Sequence, residues 1–140
     1  MIDFNFDTDF ELENQPIIKN WIGGIIASEG YELGEIVYIF CDDDFLLKLN
    51  TEFLNHDTLT DIISFDYKVG KQINGEIYIS IERVAENAID YESTFEEELH
   101  RVIIHGILHF CGYMDKTISQ KVIMRQKENE SLKRLSELQF

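Results

Sequence analysis

One proline, two cysteines and few basic residues: these scarcities narrow what the 140-residue chain can be. With Pro16 alone, and with no low-complexity tract or internal repeat, nothing has the composition of a linker. A single domain over residues 1–140 is therefore expected. No apolar run approaches the ~20 residues that cross a bilayer, so no membrane partner is expected. Cys41 and Cys111 belong to no CxxC pair, which argues against a structural zinc site built on thiolates. The opening MIDFNFDTDFELEN is acidic and lacks the basic and apolar regions of a signal peptide, so a cytoplasmic protein with two reduced thiols is expected.

Positive charge is scarce as well. Twelve Lys and Arg face 27 Asp and Glu, a net charge of −15 that disfavours simple electrostatic attraction to nucleic acid or to anionic lipid, and no DNA partner is expected. Residues 101–140 are the exception: seven basic side chains (101, 116, 121, 125, 127, 133 and 134) stand against four acids.

What is present is apolar bulk in recognisable periods. Hydrophobic residues make up 44% of the chain, with ten Phe and six Tyr, enough for a sizeable core. IDFNF (2–6) alternates as a half-buried strand does. Asn14 and Pro16 mark a helix start, with the helix continuing to near Gly30. EIVYIFC (35–41) reads as a buried strand. Asp42, Asp43 and Asp44 suit N-capping of FLLKLNTEFL, where acids complement the helix dipole. NHDTL (55–59) reads as a loop, and TDIISFDY (60–67) and EIYISI (76–81) as a hairpin across VGKQING. Ser80 can cap IERVAENAIDY. Thr94 with Glu97 and Thr117 with Gln120 form capping boxes for two further helices, the first running to Gly112 and the second to about Leu138. The order is not a strict βαβ alternation. It predicts an α+β fold, a small mixed sheet of about four strands packed with about five helices.

The chemistry concentrates in HGILHFCGYMD, residues 105–115. Helical residues four apart lie about 40° apart around the axis and about 6 Å along it. His105 and His109 therefore present imidazoles from one face, as two ligands of one ion do. Gly112 falls just past the helix end, where a left-handed residue lets the chain turn back. Asp115 can then supply a third ligand from outside the helix. Such a tripod leaves a coordination position open, the mark of a catalytic metal site. The expected cofactor is one divalent ion, zinc first, though two His and a carboxylate also suit iron or nickel. Cys111 points away by about 200° and His100 by about 140°, so neither joins the set. His56, in the NHDTL loop, stays open as a minor alternative.

The residue after the first His decides which chemistry is possible. In HExxH metalloproteases it is the Glu that acts as base. Here it is Gly106, which makes a metallopeptidase a poor reading; a glycine there instead permits close approach of another segment or of substrate. Two imidazoles and one carboxylate leave a Zn²⁺ centre with one net positive charge rather than two, weakening its pull on an anionic phosphate.

These residues resemble the YbeY family of metal-dependent bacterial endoribonucleases. His105-Gly106-Ile107-Leu108-His109 with Gly112-Tyr113 matches its motif H-G-x-L-H-x-x-G-Y-D-H. Leu49-Asn50 and Thr60-Asp61-Ile62-Ile63-Ser64-Phe65 match its block L-N followed by T-D-V-L-S-F, and Gly75-Glu76-Ile77-Tyr78-Ile79-Ser80 matches G-D-I-x-I-S. The resemblance implies hydrolysis of single-stranded RNA during ribosomal RNA maturation and ribosome biogenesis. It implies RNA, and the ribosome or a basic ribosomal protein, as partners. The chain departs from the pattern at Asp115, where the family usually has a third His, at Leu54, where it usually has Arg, and at Leu59, where it has Pro. Loss of that Arg removes a phosphate contact and draws attention to Arg101, Lys116, Lys121 and Arg125 as guides for the RNA backbone. Strand alternation puts Asp61 and Ser64 on opposite faces, so both cannot face the metal without a bulge. The general acid or base is not legible, and the catalytic residues stay unknown. A ribosome-assembly binding protein with a structural metal is the alternative, favoured by the acidity and by Leu54.

Overall fold

The computed structural model describes residues 1–54, with the backbone alone of Leu54, and 60–138. The NHDTL stretch with His56 and Leu59, and the Leu54 side chain, lie outside the described residues. The elements run β1 (Ile2–Phe6), α1 (Gln15–Ser28), β2 (Glu32–Cys41), α2 (Asp43–Leu54), β3 (Ile62–Asp66), β4 (Gln72–Ser80), α3 (Ile81–Asp90), α4 (Phe95–Phe110) and α5 (Ile118–Leu138). The four strands form one sheet in the order β1-β2-β4-β3. β1, β2 and β4 are parallel, and β3 closes an edge antiparallel to β4 with Ile62 opposite Ile79. The expected α+β mixed sheet with five helices is therefore the observed one. Two strands are longer than their apolar runs suggest: β2 begins at Glu32, and β4 at Gln72, inside the expected VGKQING connection. Main-chain pairing carries both beyond their hydrophobic residues, and Gly70, at φ +59, makes the tighter turn.

Cap chemistry sets the helix starts. The Ser80 hydroxyl accepts from the Arg83 amide, and Thr94 from Glu97. Thr117 and Gln120 satisfy each other's amides reciprocally. The Asp42 carboxylate accepts from the Phe45 amide, capping α2 as its position predicts.

The main core, including Trp21, Ile36, Tyr38, Phe40, Ile77 and Ile103, lies on the sheet face covered by α1 and α4, with α5 packed against both helices. A smaller cluster of Cys41, Leu46 and Ile63 lies under α2. α4 is the central element. From Glu98 to Phe110 every residue is buried except Arg101, His105 and His109, which are partly exposed at four-residue spacing. A helix apolar nearly all round must be surrounded, and this polar stripe is the opening left. Two glycines seat it closely. A Cβ on Gly75 of β4 would meet the Phe110 ring at 2.5 Å. One on Gly106 would meet Ile77 and Ile62 at 3.0 and 3.1 Å. Gly106 thus serves the approach of the sheet, one of the two roles its position suggested. α5 is tied to α1 where Trp21 Nε1 donates to the Ser131 carbonyl at 2.7 Å, one turn beyond Glu128.

Away from this stripe, Asp43 joins α2 to α3. It accepts from Ser80 at 2.7 Å and pairs with Arg83 at 3.1 Å. Burial would raise the Asp43 carboxyl, but Arg83 and Ser80 together hold it below the usual carboxylate value. The unfolded chain therefore binds this proton more readily than the folded one. The resulting stability is present above the unfolded value of about 3.9 and is lost as pH falls through the lower folded value. Urea denaturation of Arg83→Met against wild type should show a stability gap at pH 7 that narrows below pH ~4. A gap unchanged with pH would show the pair to be electrostatically idle.

Candidate metal centre

His105 and His109 lie one turn apart on the exposed stripe of α4, their ring centroids 4.5 Å apart. The helix ends as its sequence requires. Gly112 takes φ +100, and the Tyr113 amide returns to the Leu108 carbonyl at 3.0 Å. That reversal carries Asp115 back over the stripe. Its Oδ2 stands 3.2 Å from His105 Nε2 and 3.4 Å from His109 Nε2. The ligating atoms of all three residues lie within 4.8 Å of one another, a group that could hold a metal ion.

Each imidazole is oriented from behind. His109 Nδ1 lies 2.8 Å from the Tyr113 carbonyl, and His105 Nδ1 lies 2.7 Å from Glu128 Oε2. A carbonyl and a carboxylate only accept, so both Nδ1 atoms carry the proton, and both Nε2 atoms are turned toward Asp115. Glu128, on α5, is 5% exposed and also accepts from Arg101 Nη1 at 3.0 Å.

Proton affinities follow from these contacts. Burial opposes ionisation of His105, but its bond to Glu128 and the charges of Glu128, Asp115 and Asp61 raise it above an ordinary histidine. Burial, then the neighbouring His105 charge, lower His109, outweighing Asp115 and the Tyr113 carbonyl. Burial would raise Glu128, but its bonds to His105 and Arg101 leave it lowered.

The donor set fits a small divalent ion. Tetrahedral bonds of 2.0–2.1 Å separate neighbouring ligand atoms by about 3.3 Å, the spacing Asp115 keeps from both imidazoles. A carboxylate behind one ligating imidazole and a backbone carbonyl behind the other are the usual means of orienting metal-bound histidines.

Beside the tripod a cavity of about 220 Å³ is lined by, among others, Asp61, Tyr91, Arg101, His105, Asp115 and Arg125. Asp61 precedes β3, so strand alternation does not govern it. Its carboxylate accepts from Asn87 at 3.4 Å and faces this cavity, and burial raises its proton affinity. Ser64 lies within β3 opposite Ile77, outside that lining. Cys111 and His100 are buried away from the tripod, His100 edge-on to Trp21. One expectation is corrected. Arg101 is not a free guide for RNA, because its side chain is 15% exposed and held by Glu128. Lys116, Lys121 and Arg125 remain exposed.

Sequence reasoning missed Glu128 as the partner of His105 and Tyr91 as part of the cavity lining. Glu128 had a signal: it occupies the buried stripe Met124, Glu128, Ser131, Leu135 of α5, where an apolar residue is expected. Tyr91 had none.

Comparison with known proteins identifies the family. A curated protein of Flavobacterium psychrophilum named Endoribonuclease YbeY is 57% identical over 133 residues, covering 95% of each chain. Its namesake from Flavobacterium johnsoniae is 55% identical over 132 residues, covering 94% of this chain and 95% of that one. The solution structure of a Thermotoga maritima protein superposes with a TM-score of 0.67 at 28% identity, covering 96% of this chain and 89% of the other. The family model described as Endoribonuclease YbeY matches residues 4–136. The chain belongs to the YbeY family.

Proposed function

We propose that the protein is a single-strand-specific, metal-dependent endoribonuclease acting in ribosomal RNA maturation in the cytoplasm, with one divalent ion, zinc foremost, held by His105, His109 and Asp115. The observation that carries this reading is the convergence of two Nε2 atoms and one carboxylate oxygen at ligand spacing, with both Nδ1 atoms already engaged. An ion bound there would supply Lewis-acid polarisation of a phosphoryl oxygen and would acidify water.

The chain's own groups do the rest. Glu128 and the Tyr113 carbonyl hold the imidazoles in one tautomer, so no reorganisation is needed when charge develops at the phosphate. Asp61 and Glu98 stand on the cavity wall with raised proton affinity, both chiefly through burial. Gly106 offers no side chain where a peptidase carries its base, which argues against peptide hydrolysis.

The test is cleavage of a single-stranded oligoribonucleotide by zinc-loaded protein, by chelated protein and by His109→Ala. Cleavage confined to the loaded wild type is expected. Equal cleavage by all three would mark a contaminating nuclease and remove the reading.

A further inference from the structure

We propose that Tyr91 and Arg125 form a nucleotide subsite on the rim of the metal cavity, the Tyr91 ring stacking on an unpaired base and the Arg125 guanidinium taking an adjacent phosphate. The proposal deepens the endoribonuclease reading and rests on it.

The cavity poses an electrostatic problem for RNA. Asp61, Glu98, Asp115 and Glu128 all line it, and a phosphate approaching four carboxylates needs a cation with donors to spare. Arg101 is not that cation: it sits 3.0 Å from Glu128 and 3.9 Å from Glu97, its side chain 15% exposed. Arg125 lines the same cavity, 57% exposed, and touches Glu128 only at 3.7 Å. Most of its five N–H donors are therefore left for a ligand.

Tyr91 supplies the other half. It lies at the C-terminal end of α3, its amide bonded to the Asn87 carbonyl at 2.9 Å, so the backbone is held while the ring projects. The residue is 66% exposed and lines the cavity. Its side chain makes no hydrogen bond or ring contact among the described residues. An uncommitted aromatic face and a guanidinium on the wall of one cavity match what single-stranded RNA offers, a splayed base next to its phosphate. A base inside a duplex keeps both faces covered and cannot use the ring, so the subsite gives a physical reason for single-strand preference.

Steady-state cleavage of a labelled single-stranded RNA by the zinc-loaded protein tests this, with an abasic nucleotide walked through the positions flanking the scissile bond. Tyr91→Ala should raise KM about ten-fold, with kcat changed less than about two-fold, and Tyr91→Phe should match wild type. One abasic position should raise the wild-type KM by a similar factor and leave Tyr91→Ala unaffected, a coupling that a merely structural role would not produce. Arg125→Ala should raise KM about ten-fold and flatten its salt dependence, with Arg125→Lys recovering part of both. Unchanged KM in either alanine variant, or an abasic penalty equal in wild type and Tyr91→Ala, would overturn the subsite. If wild type fails to cut any RNA, the endoribonuclease reading fails separately. Fluorescence anisotropy with the same strands then decides the subsite: weaker binding by both alanine variants upholds it, and equal binding overturns it.

Discussion

Replacing Asp115 with alanine should abolish divalent-ion binding at the candidate centre. Wild type exposed to zinc and desalted should carry about one equivalent per chain, and Asp115→Ala less than about a tenth of that. The reason lies in the geometry. Two imidazoles from one helix face leave an ion half coordinated, and only the carboxylate returning beyond Gly112 closes the third side. It also brings the only negative charge among the three ligating groups, so its loss removes both a bond and charge neutralisation. Loss of even an outer partner of a metal ligand costs about 10–100-fold in affinity, and a ligand should cost more. Asp115→His should restore binding, because imidazole is an equally good zinc ligand, while leaving the centre one unit more positive. Elemental analysis of the three proteins settles the matter. Full zinc in Asp115→Ala would mean that this carboxylate is no ligand.

The second large effect is expected at Glu128, far from Asp115 in sequence. This buried carboxylate serves two donors at once, His105 Nδ1 at 2.7 Å and Arg101 Nη1 at 3.0 Å. Glu128→Ala leaves a largely buried guanidinium with Glu97 as a distant partner at 3.9 Å. Breaking a buried pair from one side costs about 3–5 kcal/mol. For a chain of this size that lowers Tm by about 10 °C or more. The freed imidazole also loses its tautomer lock, so zinc affinity should fall about 10–100-fold. The double variant Glu128→Leu with Arg101→Met separates the two roles. Apolar replacement of both partners should recover most of the stability, whereas zinc affinity should stay low, because nothing then orients His105. Calorimetry and a zinc titration on the same samples read both quantities. Recovery of both together would show that Glu128 acts on the metal only through folding.

These two sites also divide what was legible from what was not. The His105–His109 pair, the Gly112 bend and the Asp115 return lie within eleven consecutive residues, and helical geometry with the chain reversal at Gly112 brings them together. The caps at Ser80, Thr94 and Thr117 were likewise readable, because capping is a contact between residues three apart. The strand ends were less so, because β2 and β4 are extended by pairing with each other rather than by their own side chains.

Local spacing in the sequence therefore determined the elements, the fold class and the convergence of the three candidate ligands. Tertiary structure alone decided what stands around the tripod. Glu128 reaches His105 across 23 positions because α5 is anchored to α1 through Trp21 and Ser131. Asp61 faces the cavity because it lies just outside β3, and Arg101 is withdrawn from solvent because Glu128 claims it. The physical reason is range. Helix periodicity and chain reversal act over a few residues and leave their mark in the spacing of residue types. The groups that orient a ligand or line a cavity arrive from other elements through packing, which single-chain spacing does not encode.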